Sequence, residues 1–342
     1  MSNDGNVTQA GGRVRAGRPT LKTIAYMTGL SVTTVSKALN DAPDIGAATK
    51  KRVRLIADEI GYMPNRAGVR LRTGKTNVIA LILSTETEMF GLSSKLVYGI
   101  SSRLSGTPYH LVVMPYEVGT DPMIPVRYVV ESGSADALIF SRTMPQDPRA
   151  IYLREKGVPF ATHGRTHLDF EHPYWDFDNE TFASIGVKRL AAKGRSRLTL
   201  LPAPMDLTYG GLLMRGFTSA IAELGLADIP SRGINIDTDR ETFKAEVKRL
   251  MSSPNRPDGF VCASPASAIF AITAAESLGY EVGRDFDLVA KESYEVLQQF
   301  RKDIIAVHED FLEAGHGLAD AVLKALSGVP ANQLQALEVP QI

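Results

Sequence analysis

The sequence predicts an all-α helix-turn-helix head joined to an α/β core of two doubly wound parallel-sheet lobes. Three observations lead there. Two short helical patterns are separated by a Gly-containing turn, the amino-terminal end is basic while the remainder is acidic, and from Val78 onward apolar strand-like runs alternate with helical stretches. The length permits this: 342 residues, 44% hydrophobic and 22% charged, can bury more than one core.

In the head, Thr20 suits the N-cap of "LKTIAYMTG", where Leu21, Ile24 and Ala25 fall at helical spacing and Gly29 ends the run. Ser31 can cap the next helix, "VTTVSKALN", with Val35, Ala38 and Leu39 on one face and Val32, Thr33, Ser36 and Lys37 on the other. A third helix is predicted after Pro43, with Val53, Ile56, Ala57 and Ile60 inward and Lys50, Lys51, Arg52 and Arg54 on its polar surface. The net charge of zero hides an asymmetry. Residues 1–77 carry 13 Lys and Arg against 5 Asp and Glu, the rest 25 against 33, so the head suits a polyanion such as double-stranded DNA. A helix read into a groove about 12 Å wide needs small, uncharged side chains at its start, as Val32 and Thr33 provide. An ordinary exposed helix or a solvated basic tail is the plain alternative.

The stretch "GYMPNRAGVRLRTGKTNVIALIL" resembles the head-to-core junction of the LacI/GalR family of bacterial transcription regulators, and the likeness starts at "LKTIAYMTGLSVTTVSKALN" and covers nearly the whole chain. The resemblance implies that Val32, Thr33 and Lys37 read bases and that Thr20, Ser36 and Asn40 touch phosphates. It also implies that Asn65, Arg66 and Leu71 belong to a hinge helix on DNA, Leu71 as its wedge into the minor groove, which requires a homodimer. Gly68 stands where the family usually has Ala, which disfavours the hinge helix off DNA by about 1 kcal/mol. "GKT" at Gly74–Thr76 is no phosphate loop, because the glycine spacing is wrong and a strand follows instead of preceding it. The expected division is a flexible basic arm (1–18), a DNA-binding domain (19–63), a hinge and linker (64–77) and a core (78–342). The core pattern resembles the periplasmic-binding-protein-like (type I) fold, with lobe 1 at about 78–178 and 309–328 and lobe 2 at about 179–305 and 332–342.

Ligands of such sheets bind at the carboxyl ends of the strands. Candidates there are Ser84, Ser141, His163, Arg165, Trp175, Asp178, Lys291 and Glu292. Carboxylates, a guanidinium and hydroxyls beside an aromatic ring suit a mono- or disaccharide. His163 could instead be a core histidine, Asp178 a helix cap, and Lys291 and Glu292 a mutual pair. The family's usual cleft residues are replaced by Ala263-Ser264-Pro265, Ala290–Ser293 and Leu213, while "HGRT", "DFDNE", "AKGR" and "LVAKES" resemble the branch of alphaproteobacterial α-glucoside operon regulators. That likeness implies a repressor of a sugar-utilisation operon released by inducer. A stand-alone sugar-binding protein and a corepressor-dependent regulator with a non-sugar ligand are the alternatives. No G-x-S-x-G or H-E-x-x-H motif occurs, the lone Cys262 lies in an apolar strand, and "HED" at His308–Asp310 has adjacent side chains that point apart. No catalysis, cofactor or metal is therefore expected. Without a signal-type segment or a membrane-length apolar run, a cytoplasmic place at the nucleoid is expected.

Overall fold

Residues 1–76 and 77–342 form two separate units. The computed structural model describes residues 19–63, 68, 70, 74–85, 92–293, 297, 299 and 301–340. The arm expected at 1–18 and the hinge residues Asn65, Arg66 and Leu71 lie outside the described residues.

The head is built from α1 (Leu21–Thr28), α2 (Val32–Leu39) and α3 (Ala47–Glu59). Thr20 and Thr23 form a reciprocal capping box at the start of α1, and Gly29 ends it with φ 68°, a left-handed backbone that glycine adopts without strain. Ser31 then accepts the Thr34 N–H at 3.1 Å and starts α2 two residues later. Ile24, Ala25, Val35, Ala38, Val53 and Ala57 meet in one small core, with Ile56 and Ile60 packed against it. Also in the first unit, Gly68 and Arg70 have helical backbone, and the Gly74 N–H donates to the Arg70 carbonyl at 2.8 Å.

The body holds two all-parallel sheets. The first has β1 (Val78–Thr85), β2 (His110–Glu117), β3 (Ala137–Phe140), β4 (Phe160–His163), β5 (Tyr174–Phe177) and β11 (Gln335–Glu338) in the order β11-β5-β4-β3-β1-β2. The second has β6 (Arg197–Leu201), β7 (Ala227–Asp228), β8 (Gly259–Cys262), β9 (Asp287–Glu292) and β10 (Ile305–His308) in the order β10-β9-β8-β6-β7. Crossovers supply α4 (Leu92–Leu104), α5 (Met123–Ser132), α6 (Pro148–Glu155), α7 (Asn179–Ala192), α8 (Thr208–Leu224), α9 (Arg240–Met251), α10 (Pro265–Glu276) and α11 (Phe311–Leu326).

Helices on both faces explain why "VIALIL" contains no polar residue. Ile79 and Leu81 pack beneath α4 and α11, whereas Ala80 and Ile82 pack with Val126, Val129 and Leu153 on the other side. β8 repeats the device, sending Phe260 and Cys262 to one face and Val261 to the other. Burial raises the Cys262 thiol far above its ordinary range, which leaves it inert.

The carboxyl-terminal tail corrects the expected lobe boundary. β11 pairs with β5, Gln335 opposite Tyr174, so residues 335–338 belong to the first sheet and not to the second. The open side of β5 supplies the pairing groups, and the Asp178 N–H continues the ladder onto the Glu338 carbonyl at 2.8 Å.

The α4–α11 contact is close enough to require glycine on both sides. A Cβ at Gly315 would stand 2.6 Å from the Leu96 carbonyl oxygen and 2.9 Å from the Gly99 Cα. Gly315→Ala should therefore cost the body about 1–3 kcal/mol through overpacking. Gly211→Ala in α8, whose new methyl meets nothing within 4 Å, should stabilise it by up to about 1 kcal/mol. Urea unfolding of the two variants would check the contrast, and equal midpoints would contradict it.

Candidate ligand cavity and nucleic-acid face

On α2 the buried and exposed faces separate as helical spacing requires. Val35 and Ala38 are fully buried, whereas Val32, Thr33, Lys37 and Asn40 are exposed and Ser36 is half-buried. Lys37 reaches Asp44, and the Asn40 amide donates to the Ser36 carbonyl at 2.6 Å. Thr20 is exposed at the start of α1. Asp41, with φ 60°, turns the chain after α2 and faces Lys50 and Arg54 at 3.1 and 3.0 Å, so the first carboxylate after this helix is matched by cations of α3.

In the body, a cavity of about 170 Å³ lies where the carboxyl ends of the two sheets face each other. β1 supplies Ser84, the turn after β3 supplies Ser141, Arg142 and Thr143, and β4 supplies His163. From the other sheet come Ser264 after β8 and Lys291, Glu292 and Ser293 around the end of β9. Of the expected ligand residues, Ser84, Ser141, His163, Lys291 and Glu292 line this cavity.

Arg165, Trp175 and Asp178 do not, and this corrects the expectation for them. Arg165 is turned to Asp176, with Nε 2.7 Å from a carboxylate oxygen, and reaches Asp178 only at 3.9 Å. Trp175 packs on α11, where a Cβ at Gly317 would come within 2.1 Å of its ring. Asp178 caps α7, accepting the Thr181 N–H at 3.1 Å and its hydroxyl at 2.7 Å. Nor do Lys291 and Glu292 pair with each other. Lys291 meets Glu309 at 3.0 Å and the Asn179 amide oxygen at 2.9 Å, beneath the rings of Phe177 and Tyr209 at 5.2 and 5.5 Å. Glu292 accepts the Leu297 N–H at 2.9 Å.

Glu309 is the functional candidate that sequence reasoning missed. The three residues of "HED" separate: His308 is exposed, Glu309 is buried on the cavity, and Asp310 caps α11. Its signal was its place directly after β10, at the same end of the sheet as Lys291. Ser93, Asp176, Asn179 and Tyr209 complete the polar lining, and Leu213, where the family's usual cleft Arg would align, is fully buried in the apolar core.

The turn after β3 is rigidly held. Arg142 adopts φ 55°, a left-handed backbone that is strained for a residue with a Cβ. Arg149 and Asp147, both fully buried, pair at 2.7 Å, and Arg149 also donates to the Arg142 carbonyl at 2.8 Å. From this turn the first lobe grips the second. Arg142 forms a forked pair with Asp237, one arm at 3.1 Å, and the Thr143 carbonyl accepts the Thr208 N–H at 2.8 Å. Lys95 of α4 adds a hydrogen bond to the Ser293 carbonyl.

Three comparisons with known proteins bear on this arrangement. Residues 20–65 match the model of bacterial regulatory proteins of the lacI family, and residues 187–342 match a periplasmic binding protein-like domain. The chain is 30% identical over 287 residues to the HTH-type transcriptional regulator AglR of Rhizobium meliloti, covering 80% of this chain and 77% of that one. It is 31% identical to the HTH-type transcriptional regulator RafR of Escherichia coli, covering 94% and 96%. Among solved structures, the lac repressor dimer bound to operator and the anti-inducer ONPF superposes with a TM-score of 0.80 at 21% identity, covering 95% of this chain and 97% of that one.

Burial raises the Asp176 carboxyl to about 6 against the opposing pull of Arg165. The folded body then takes up this proton at a pH where the unfolded chain, titrating near 3.8, does not. Stability from this group therefore rises as pH falls from about 7 toward 4. His163 is held below its usual range, chiefly by burial, and acts in the opposite direction as it is forced to take up a proton. Asp176→Asn separates the two: between pH 7 and 4.5 the wild type should gain about 2 kcal/mol on the variant in urea unfolding. A pH-independent difference would rule out the burial effect.

Proposed function

The chain belongs to the lacI family of bacterial regulatory proteins, and from that premise we propose that it is a homodimeric repressor of a saccharide-utilisation operon, released from a palindromic operator by an α-glucoside-like inducer. It is a ligand-responsive DNA-binding regulator and not an enzyme. The observation that carries the saccharide reading is the cavity lining. Five serine hydroxyls (Ser84, Ser93, Ser141, Ser264 and Ser293) stand with Asn179, Lys291, Glu292 and Glu309 around the half-apolar surface of Phe177, Tyr209 and Phe311. Such a lining matches a ring with one apolar face and a rim of hydroxyls.

The exposed face of α2 supports base reading by Val32, Thr33 and Lys37, with Thr20, Ser36 and Asn40 on phosphates; Asn65, Arg66 and the Leu71 wedge complete the proposed contact. The dimer is supported by the outer strand β2. Val112 and Val113 are exposed there, and in the same lobe Tyr98 of α4 and Ile124 and Tyr128 of α5 are each more than half exposed. An unpaired strand edge with apolar side chains around it favours a partner surface. A regulator of this kind works in the cytoplasm, at the nucleoid. Effector binding must favour one arrangement of the lobes over another, because a ligand with equal affinity for both shifts nothing.

A gel shift with the DNA upstream of the chain's own reading frame tests the proposal. A sequence-specific complex that dissociates on addition of an α-glucoside is expected, and no specific complex would exclude the repressor. Lys37→Ala should weaken operator binding by about 1–3 kcal/mol without changing effector affinity; equal loss of both would contradict its role. Val113→Asp should convert the dimer to monomers in sedimentation and lower operator affinity with it. An unchanged sedimentation coefficient would move the dimer contact elsewhere.

A further inference from the structure

Resting on the saccharide reading, we infer that the effector is the uncharged, unphosphorylated sugar and that Glu292 enforces this choice. Besides His163 and Tyr209, the ionisable side chains on the described cavity wall are Arg142, Asp176, Lys291, Glu292 and Glu309. Both cations already have carboxylate partners, Arg142 in Asp237 and Lys291 in Glu309, and Asp176 is met by Arg165. Glu292 is 4% exposed, and among the described residues no Lys or Arg lies within ion-pair distance of it. Its carboxylate is fixed by the Leu297 N–H instead. Burial disfavours the charged form of His163.

A phosphate ester would bring between about one and a half and two negative charges into this wall. To be paired by a cation of the wall it would have to draw Lys291 from Glu309 or Arg142 from Asp237, leaving that carboxylate unpaired in a poorly solvated place. Three helix starts at the wall are already engaged: Asp178 accepts from the first turn of α7, Ser264 from that of α10, and the Thr143 carbonyl takes the Thr208 N–H at the start of α8. Sugar hydroxyls have no such conflict. They donate to Glu292 and accept from Lys291 and the serines while every ion pair stays in place. The regulator therefore reads the sugar before any kinase or phosphotransferase acts on it, and such a reaction consumes the effector.

Titration calorimetry of the full-length protein with matched probes tests this: maltose against maltose 6-phosphate, trehalose against trehalose 6-phosphate, and sucrose against sucrose 6-phosphate. The neutral member of at least one pair should bind, with its phosphate ester at least about tenfold weaker. An ester that binds as tightly as its neutral partner, or more tightly, overturns the inference and leaves the saccharide reading standing. Binding of an organic acid or nucleotide but of no saccharide overturns both. Binding of an uncharged nucleoside but of no saccharide overturns the saccharide reading and the sugar assignment with it, and leaves only the exclusion of charge. In Glu292→Gln the gap between ester and neutral sugar should shrink severalfold; an unchanged gap in a folded variant overturns the part given to Glu292. The wild-type pairs decide the effector's charge even if that variant does not fold.

Discussion

An ammonium group removed from water must be met by opposite charge and by hydrogen-bond acceptors, and the core is organised around that requirement at Lys291. The side chain is nearly buried, and its partners come from three different segments: Glu309 after β10, Phe177 and Asn179 where β5 runs into α7, and Tyr209 in α8. Two of those segments, 177–179 and 308–311, are where the chain passes between the two sheets. Removing one partner of such a buried pair strands the other, at about 3–5 kcal/mol. A single cation thus fixes the crossing points of the body and places polar atoms on the cavity wall.

The contacts between the lobes are of a different kind. Arg142–Asp237, Thr208–Thr143 and Lys95–Ser293 all bridge the lobes at the cavity, and Arg142 and Ser293 also form part of its wall. Groups that hold the lobes together therefore belong to the surface a ligand would touch. A ligand contact there changes the balance between lobe arrangements directly, without a relay through the apolar cores, which pack too tightly to deform gradually.

Much of this was legible in the sequence because it depends on local periodicity. The two faces of α2 follow from the spacing of Val35 and Ala38, and the parallel sheets follow from uninterrupted apolar runs. Strand ends could be located, which is why Ser84, Ser141, His163, Lys291 and Glu292 could be expected together on what is the cavity wall. What sequence did not reveal was the direction of neighbouring side chains at those ends. Trp175 goes under α11 because Gly317 leaves it room, a fact about a helix more than a hundred residues away. Asp178 satisfies the first turn of its own helix. Glu309 was hidden within three adjacent polar residues whose separate fates depend on β10 ending at His308. The tail "QALE" could border either sheet, since its alternation says nothing of whether β5 or β10 offers the free edge.

The distribution of charge links the cavity to DNA binding. With the excess of cations confined to residues 1–77 and an excess of carboxylates in the rest, attraction for DNA belongs to the head and the body opposes it. An uncharged effector alters neither balance. With an effector of that kind, as inferred above, the change in operator affinity comes from the arrangement of the lobes and not from added charge. A charged effector would add an electrostatic contribution that depends on ionic strength. For a neutral one, the ratio of operator affinities with and without effector depends on salt only through a change in the number of phosphates that the head contacts.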